Sequence, residues 1–339
     1  MDILKRTPEI KLEHGSGGAL SRELIEEIIY PIIKNDGYSE LLDAAELSLQ
    51  GPPLFTTDTF VVDPPVFPGG DIGKLAVFGT CNDVAVAGGH PRYLSMGMVL
   101  EEGFPVHTLV SVLESAAGAA AENGVRFVTG DTKVVPRGKG GGIFLNTAGI
   151  GEKEFQYSLS PSGISPGDEI LISGPVGSHG ITILAAREKL PVGTNVVSDC
   201  AFLYPLCKQL FAFGEKVKFI RDATRGGAAA ILNEIVFGTQ LGIDTREEAY
   251  PVLPEVASAA EILGLNPLEV ANEGVLVTVV SAGSGREALR EMRKNSLGEK
   301  AAIIGTVTED HPGRVVLETS IGGRRILDFP RGLLLPRIC

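Results

Sequence analysis

The sequence predicts an α/β chain in two domains, and three features carry that prediction. Runs rich in β-branched and aromatic residues alternate with stretches of helical periodicity from end to end. The alternation pauses at residues 152–166, where serine, proline and glycine gather, and then resumes with a comparable rhythm. The 339 residues, 44% hydrophobic and 21% charged, supply core enough for two domains of ordinary size.

Taken in order, Leu20, Leu24, Ile28 and Ile32 recur at helical spacing, with Glu23, Glu26 and Glu27 for the wet face. The glycine-rich residues 11–18 before them either wrap phosphate with backbone N–H groups or form a flexible lead-in. Residues 54–62 read as a strand ended by Pro64, Pro65 and Pro68. Residues 71–88 read as a helix buried on most sides, with the polar trio Cys81-Asn82-Asp83 in its middle. A strand over 93–100 and an alanine-rich helix over 106–123, stopped by Gly124, come next. The strand over 125–129 runs into Gly130-Asp131-Thr132-Lys133, expected as an exposed loop, and 143–150 is a further strand. In the second half, strands are expected at 168–173, 274–280 and 301–307, with terminal strands at 314–319 and 325–328. Helical patterns fall at 179–189, 199–213, 256–263 and 285–294, and another leads from Gly226-Gly227 to Phe237.

The formal charge of -12 argues against nucleic acid or an anionic membrane as a partner held by bulk charge. It leaves ATP open, because Mg²⁺ and a local cleft invert the field. No apolar run approaches the ~20 residues of a membrane span, and the first residues lack a signal-peptide core. The cysteines, Cys81, Cys200, Cys207 and Cys339, are spaced as expected for a reducing cytoplasm rather than a disulfide framework. The five histidines are too scattered for a zinc site.

Four aspartates stand beside small residues: Asp43, Asp58, Asp83 and Asp222. Asp58 and Asp83 lie inside apolar elements, where a lone carboxylate is costly and needs pairing or a cation. Each taken singly reads as a helix cap or turn residue, and as a set they suit Mg²⁺ shared with phosphates. Lys133 could neutralise phosphate charge or be a solvated turn lysine. Glu273, in Ala271-Asn272-Glu273-Gly274, could be a general base if desolvated or simply part of a strand-entry turn.

The chain ends in Pro336-Arg337-Ile338-Cys339, after Pro330 and Gly332, which disfavour helix. An extended arm from Phe329 carries the terminal thiol roughly 30 Å. Such a thiol is either a frayed end or a carrier of a labile thioester.

Thr57-Asp58, residues 69–76, Asn82-Asp83, residues 130–135, residues 222–227, residues 271–274 and the terminal Pro-Arg-Ile-Cys together resemble the HypE family of hydrogenase maturation factors, along essentially the whole chain. The ATP-site pattern is shared with aminoimidazole ribonucleotide synthetase, selenophosphate synthetase and thiamine-phosphate kinase, whereas the terminal tetrapeptide is specific to the HypE branch. The resemblance implies a two-domain, aminoimidazole ribonucleotide synthetase-like fold. Residues 1–152 would bind ATP and pair their sheets in a homodimer, 153–328 would form a second α/β domain, and 329–339 a mobile tail. It implies ATP-dependent dehydration of a carbamoyl group on Cys339 to a thiocyanate, the source of cyanide for the iron of [NiFe] hydrogenase. Mg²⁺ would sit on Asp58, Asp83 and Asp222, with Asp43 and Asp131 framing the nucleotide and Glu273 and Lys133 moving protons. The implied partners are a HypF-type carbamoyltransferase and the HypC–HypD complex. Two alternatives remain: another kinase or synthetase of the superfamily, and an ATP-gated scaffold without dehydratase activity.

Overall fold

The computed structural model describes residues 8–35, 41–190 and 196–330. Cys339, singled out in the sequence, and Leu333-Leu334-Leu335 on the same arm lie outside these residues.

The first half is one four-stranded sheet with helices on one face. Its strands are β1 (Pro53–Phe60), β4 (Gly89–Glu101), β5 (Arg126–Val135) and β6 (Ile143–Lys153), in the order β1-β6-β4-β5. Only β4 and β5 run parallel; the other pairs are antiparallel. Helices α1 (Ala19–Leu24) and α2 (Tyr30–Ile33) flank a π-helical turn, Ile25–Ile29, inside the amphipathic pattern expected there. The central helix, α3 (Ile72–Val86), is buried along nearly its whole length, as its largely apolar composition predicts. Asp71 caps it: Oδ1 accepts the N–H groups of Gly73 and Lys74 at 2.8 and 3.0 Å. Helix α4 (Val106–Glu122) lies beside α3, and a short hairpin, β2 (Val66–Phe67) with β3 (Gly70–Asp71), precedes α3.

Among the described residues, no helix covers the sheet's other face. Cross-strand register puts Thr59, Asn146, Gly97 and Asp131 in one row on that side. Phe55, also on that side of β1, is 68% exposed.

The second half holds a seven-stranded sheet in the order β13-β12-β9-β11-β7-β10-β8. The strands are β7 (Glu169–Ile172), β8 (Val217–Asp222), β9 (Gly242–Arg246), β10 (Leu276–Val280), β11 (Ala302–Thr308), β12 (Val315–Glu318) and β13 (Arg324–Ile326). Its helices are α5 (Ser178–Glu188), α6 (Tyr204–Phe211), α7 (Gly227–Val236), α8 (Pro254–Leu263) and α9 (Gly285–Met292). One core is built on Ile170, Ile172, Val277, Val279 and Ile304 with α7. The halves meet where α3 packs against β8 and α6. Asn82 on α3 ties this junction, donating to the Ala201 carbonyl at 3.0 Å and accepting from Leu203 N–H at 2.8 Å.

Four elements depart from expectation. Residues 130–133 continue strand β5 instead of forming a loop, because backbone pairing with β4 runs on to Val135. The helix expected over 199–213 starts at Tyr204; residues 198–201 form no regular element and are held by main-chain bonds to Pro68 and Glu273. Strands β8 and β9 carry no run of apolar residues long enough to announce them. Among the described residues, no helix is long and apolar enough to cross a membrane.

Candidate active site

Four of the singled-out carboxylates converge at the junction of the halves, and local geometry explains each. On β1, Asp58 points toward α3 and lies against Gly79, where a Cβ would stand 3.9 Å from its Oδ2. Asp83 is four residues on from Gly79, hence on the same helix face. There its Oδ2 accepts the Thr56 hydroxyl at 2.8 Å. Asp222 ends β8, paired with Leu276 at the start of β10. Glu273 lies just before β10 and is buried. Its segment is stitched to β8: Asn272 N–H and Nδ2 both donate to the Ala223 carbonyl at 3.0 Å, and Ala223 N–H donates to Val275.

The electrostatics mark these groups as one cluster. Burial, then the neighbouring Asp83, pushes Asp222 up to about 7. Burial, then Asp222, Asp199 and Asp58, holds Glu273 well above the usual carboxylate range. Burial raises Asp58 and Asp83 as well, the Asp83 charge adding to the rise at Asp58. Arg225, exposed at the turn before α7, favours the ionised forms of Asp58 and Glu273. An open cavity of about 410 Å³ adjoins the cluster, lined by Thr56, Asp83, Arg221, Asp222, Phe55 and Pro161. Like charges held this close in a partly dry cleft disfavour their own ionisation unless a cation joins them.

The other candidates stand elsewhere. Asp131 and Lys133 pair with each other, Nζ at 2.6 Å from Oδ2, and the lysine holds Asp131 below its ordinary value. Both are exposed on the uncovered face of β5, at the opposite edge of the sheet from β1. Three strand spacings, about 14 Å, separate those edges. Asp43 is exposed on the irregular segment before β1. Among the described residues, no three acidic, histidine or cysteine side chains are close enough together to hold a metal ion by themselves.

Three further residues take part: in the sequence Arg225 lies within a glycine-flanked motif, Thr56 is one strand residue among several, and Asp199 belongs to no motif. The signal for Arg225 was its place in Asp222-Ala-Thr-Arg-Gly226-Gly227, where left-handed Gly226 (φ 79°) opens α7. Asp199 had no signal, since its partners are far off in the chain.

Residues 43–152 match the AIR synthase related protein N-terminal domain family, and residues 165–318 its C-terminal domain family. A carbamoyl dehydratase HypE of Cupriavidus necator is 45% identical over 336 residues, covering 98% of this chain and 96% of that protein. The crystal structure of a hydrogenase maturation protein HypE in complex with ATP superposes with a TM-score of 0.92 at 44% identity, covering 97% of this chain and 99% of that one. A HypE chain in a HypE–HypF complex superposes with a TM-score of 0.79 at 43% identity, covering 92% of this chain and 100% of that one.

Proposed function

This chain belongs to the HypE family of AIR synthase related proteins, and on that premise we propose that it is an ATP-dependent carbamoyl dehydratase acting on its own Cys339. The observation that carries the reading is the convergence of Asp58, Asp83, Asp222 and Glu273 beside the cavity, in a chain whose relatives bear that name.

The substrate is an S-carbamoyl group, S–C(=O)–NH₂. Its oxygen takes the γ-phosphoryl group of ATP, ADP leaves, and one nitrogen proton is released. Loss of the second nitrogen proton breaks the C–O bond, expels phosphate and leaves S–C≡N. Each turnover converts one ATP to ADP and phosphate while the carbamoyl group loses the elements of one water. Phosphorylation is what turns a poor leaving group into a good one.

The carboxylates suit a divalent cation because one relieves their mutual repulsion, and phosphate oxygens would complete a shell that no three of them close by themselves. Asp58, Asp83 and Asp222 would hold Mg²⁺, which supplies charge screening to the phosphates. Asp43 and Asp131 would frame the nucleotide. Glu273 is the general base. Burial, then its acidic neighbours, favours the protonated form of Glu273; a cation held by Asp58 and Asp222 would offset those charges and favour the ionised base. Base activity is thereby tied to occupancy, and the enclosure around Glu273 limits hydrolysis of the activated group.

Lys133 and Asp131 serve from a second copy, because within one chain they sit at the far edge of the sheet from Asp58. Face-to-face pairing of the uncovered sheets gives them a route to the partner's nucleotide. Homodimers of Lys133→Ala and of Glu273→Gln are expected to be inactive separately and to regain activity after subunit exchange. No recovery would assign both residues to one chain.

The tail, residues 329–339, would deliver the thiol from a HypF-type carbamoyltransferase to this cavity and then to HypC–HypD, with Leu333-Leu334-Leu335 docking it. The setting is cytoplasmic. Mass spectrometry of the C-terminal peptide is the test: a carbamoyl adduct should lose one water when Mg-ATP is added. An adduct unchanged by Mg-ATP leaves the scaffold alternative.

A further inference from the structure

We propose that Asp199 is the positioning residue for Glu273, a clamp that fixes the backbone on which the general base is mounted. The inference rests on the base role given to Glu273 above.

Asp199 Oδ2 accepts the main-chain N–H groups of Glu273 and Gly274, each at 3.1 Å. On the other side, Ala201 N–H donates to the Glu273 carbonyl at 3.2 Å. Both peptide units flanking the base are thus held by a single short segment, residues 199–201. Contact is so close that a Cβ on Gly274 would lie 1.9 Å from the Asp199 carbonyl oxygen, so only glycine fits after the base. The clamp itself is anchored. Ser198 N–H donates to the Pro68 carbonyl at 2.9 Å, and Ser198 Oγ meets Nδ1 of the fully buried His179 at 2.8 Å. Asn82, next to Asp83, holds the Ala201 carbonyl. Segment 199–201 is thus tied at Ala201 to the helix that carries Asp83, and to the peptides flanking Glu273 through both Ala201 N–H and the Asp199 carboxylate.

Two features set Asp199 apart from an ordinary loop tie. Its Oδ1 is enclosed and without a hydrogen-bond partner among the described residues. Its charge lies close enough to raise the proton affinity of Glu273. A base needs its carboxylate held at a set place relative to the nitrogen it deprotonates, and a displacement of about 1 Å costs up to about 100-fold in rate.

The test is single-turnover water loss from carbamoylated full-length protein, read by mass spectrometry at saturating and limiting Mg-ATP. Asp199→Ala is expected to slow the step about 10- to 100-fold at saturation, with the half-saturating Mg-ATP concentration unchanged. Asp199→Asn, which keeps the acceptor, should recover most of the rate. Should Asp199→Ala act by raising the half-saturating concentration, or Asn restore nothing, the clamp is overturned. Glu273→Gln, run in parallel, separates the two readings. If it keeps wild-type turnover, the base role falls and the clamp with it. If it loses turnover while Asp199→Ala keeps it, only the clamp falls.

Discussion

Replacing Cys339 with alanine is expected to abolish both the carbamoyl adduct and its dehydration while leaving Mg-ATP binding intact. No other thiol can stand in. Cys81, Cys200 and Cys207 are buried, and burial pushes all three thiols up, away from the reactive thiolate. The remaining cysteines should therefore carry no adduct even after prolonged exposure to the carbamoyl donor. Nucleotide binding should persist because the carboxylate cluster is assembled from β1, α3, β8 and the segment before β10. Intact-mass measurement after loading, together with calorimetric titration of Mg-ATP, checks both halves. A variant that still turns over ATP on a small molecule would instead identify a kinase or synthetase of the superfamily.

Asp222→Asn should move activity and stability in opposite directions. The activity loss is expected to reach at least about 100-fold in kcat/KM, the scale of removing one stabilising group from a charged transition state. The stability effect follows from proton linkage. Burial and Asp83 lift Asp222 to about 7, so the folded chain binds this proton more tightly than the unfolded chain does. Its contribution is fully present below about pH 4 and is lost as pH rises through about 7. The nucleotide-free wild type should accordingly melt lower at pH 8 than at pH 5. Asparagine has no charge to bury, so the variant should fall less over that range. A gain of about 1 kcal/mol at pH 8 would raise Tm by about 1–2 °C. Mg-ATP should stabilise the wild type strongly and the variant little. Scanning calorimetry of both proteins at the two pH values, with and without Mg-ATP, reads all of this. A variant that melts no higher than wild type at pH 8 would mean that Asp222 is not strained at rest.

The amino-acid sequence by itself determined the features that depend on neighbours in the chain. Helix α3 follows from an apolar run with Asp71 at its start, and the terminal Pro-Arg-Ile-Cys with the glycine-flanked acidic motifs marks the family. Asp58 and Asp83 could be read as strained because apolar residues surround them in sequence. The tertiary structure alone decided which charges meet. The cluster joins four elements through strand register and helix packing, and those are set by contacts between distant residues. The same register put Asp131 and Lys133 on the far edge and the uncovered face, although their motif looks no different from the others on paper. Asp199 is the plainest case: in sequence it is one more acidic loop residue, and its meaning arises only because folding brings two peptide N–H groups of a remote segment onto its carboxylate.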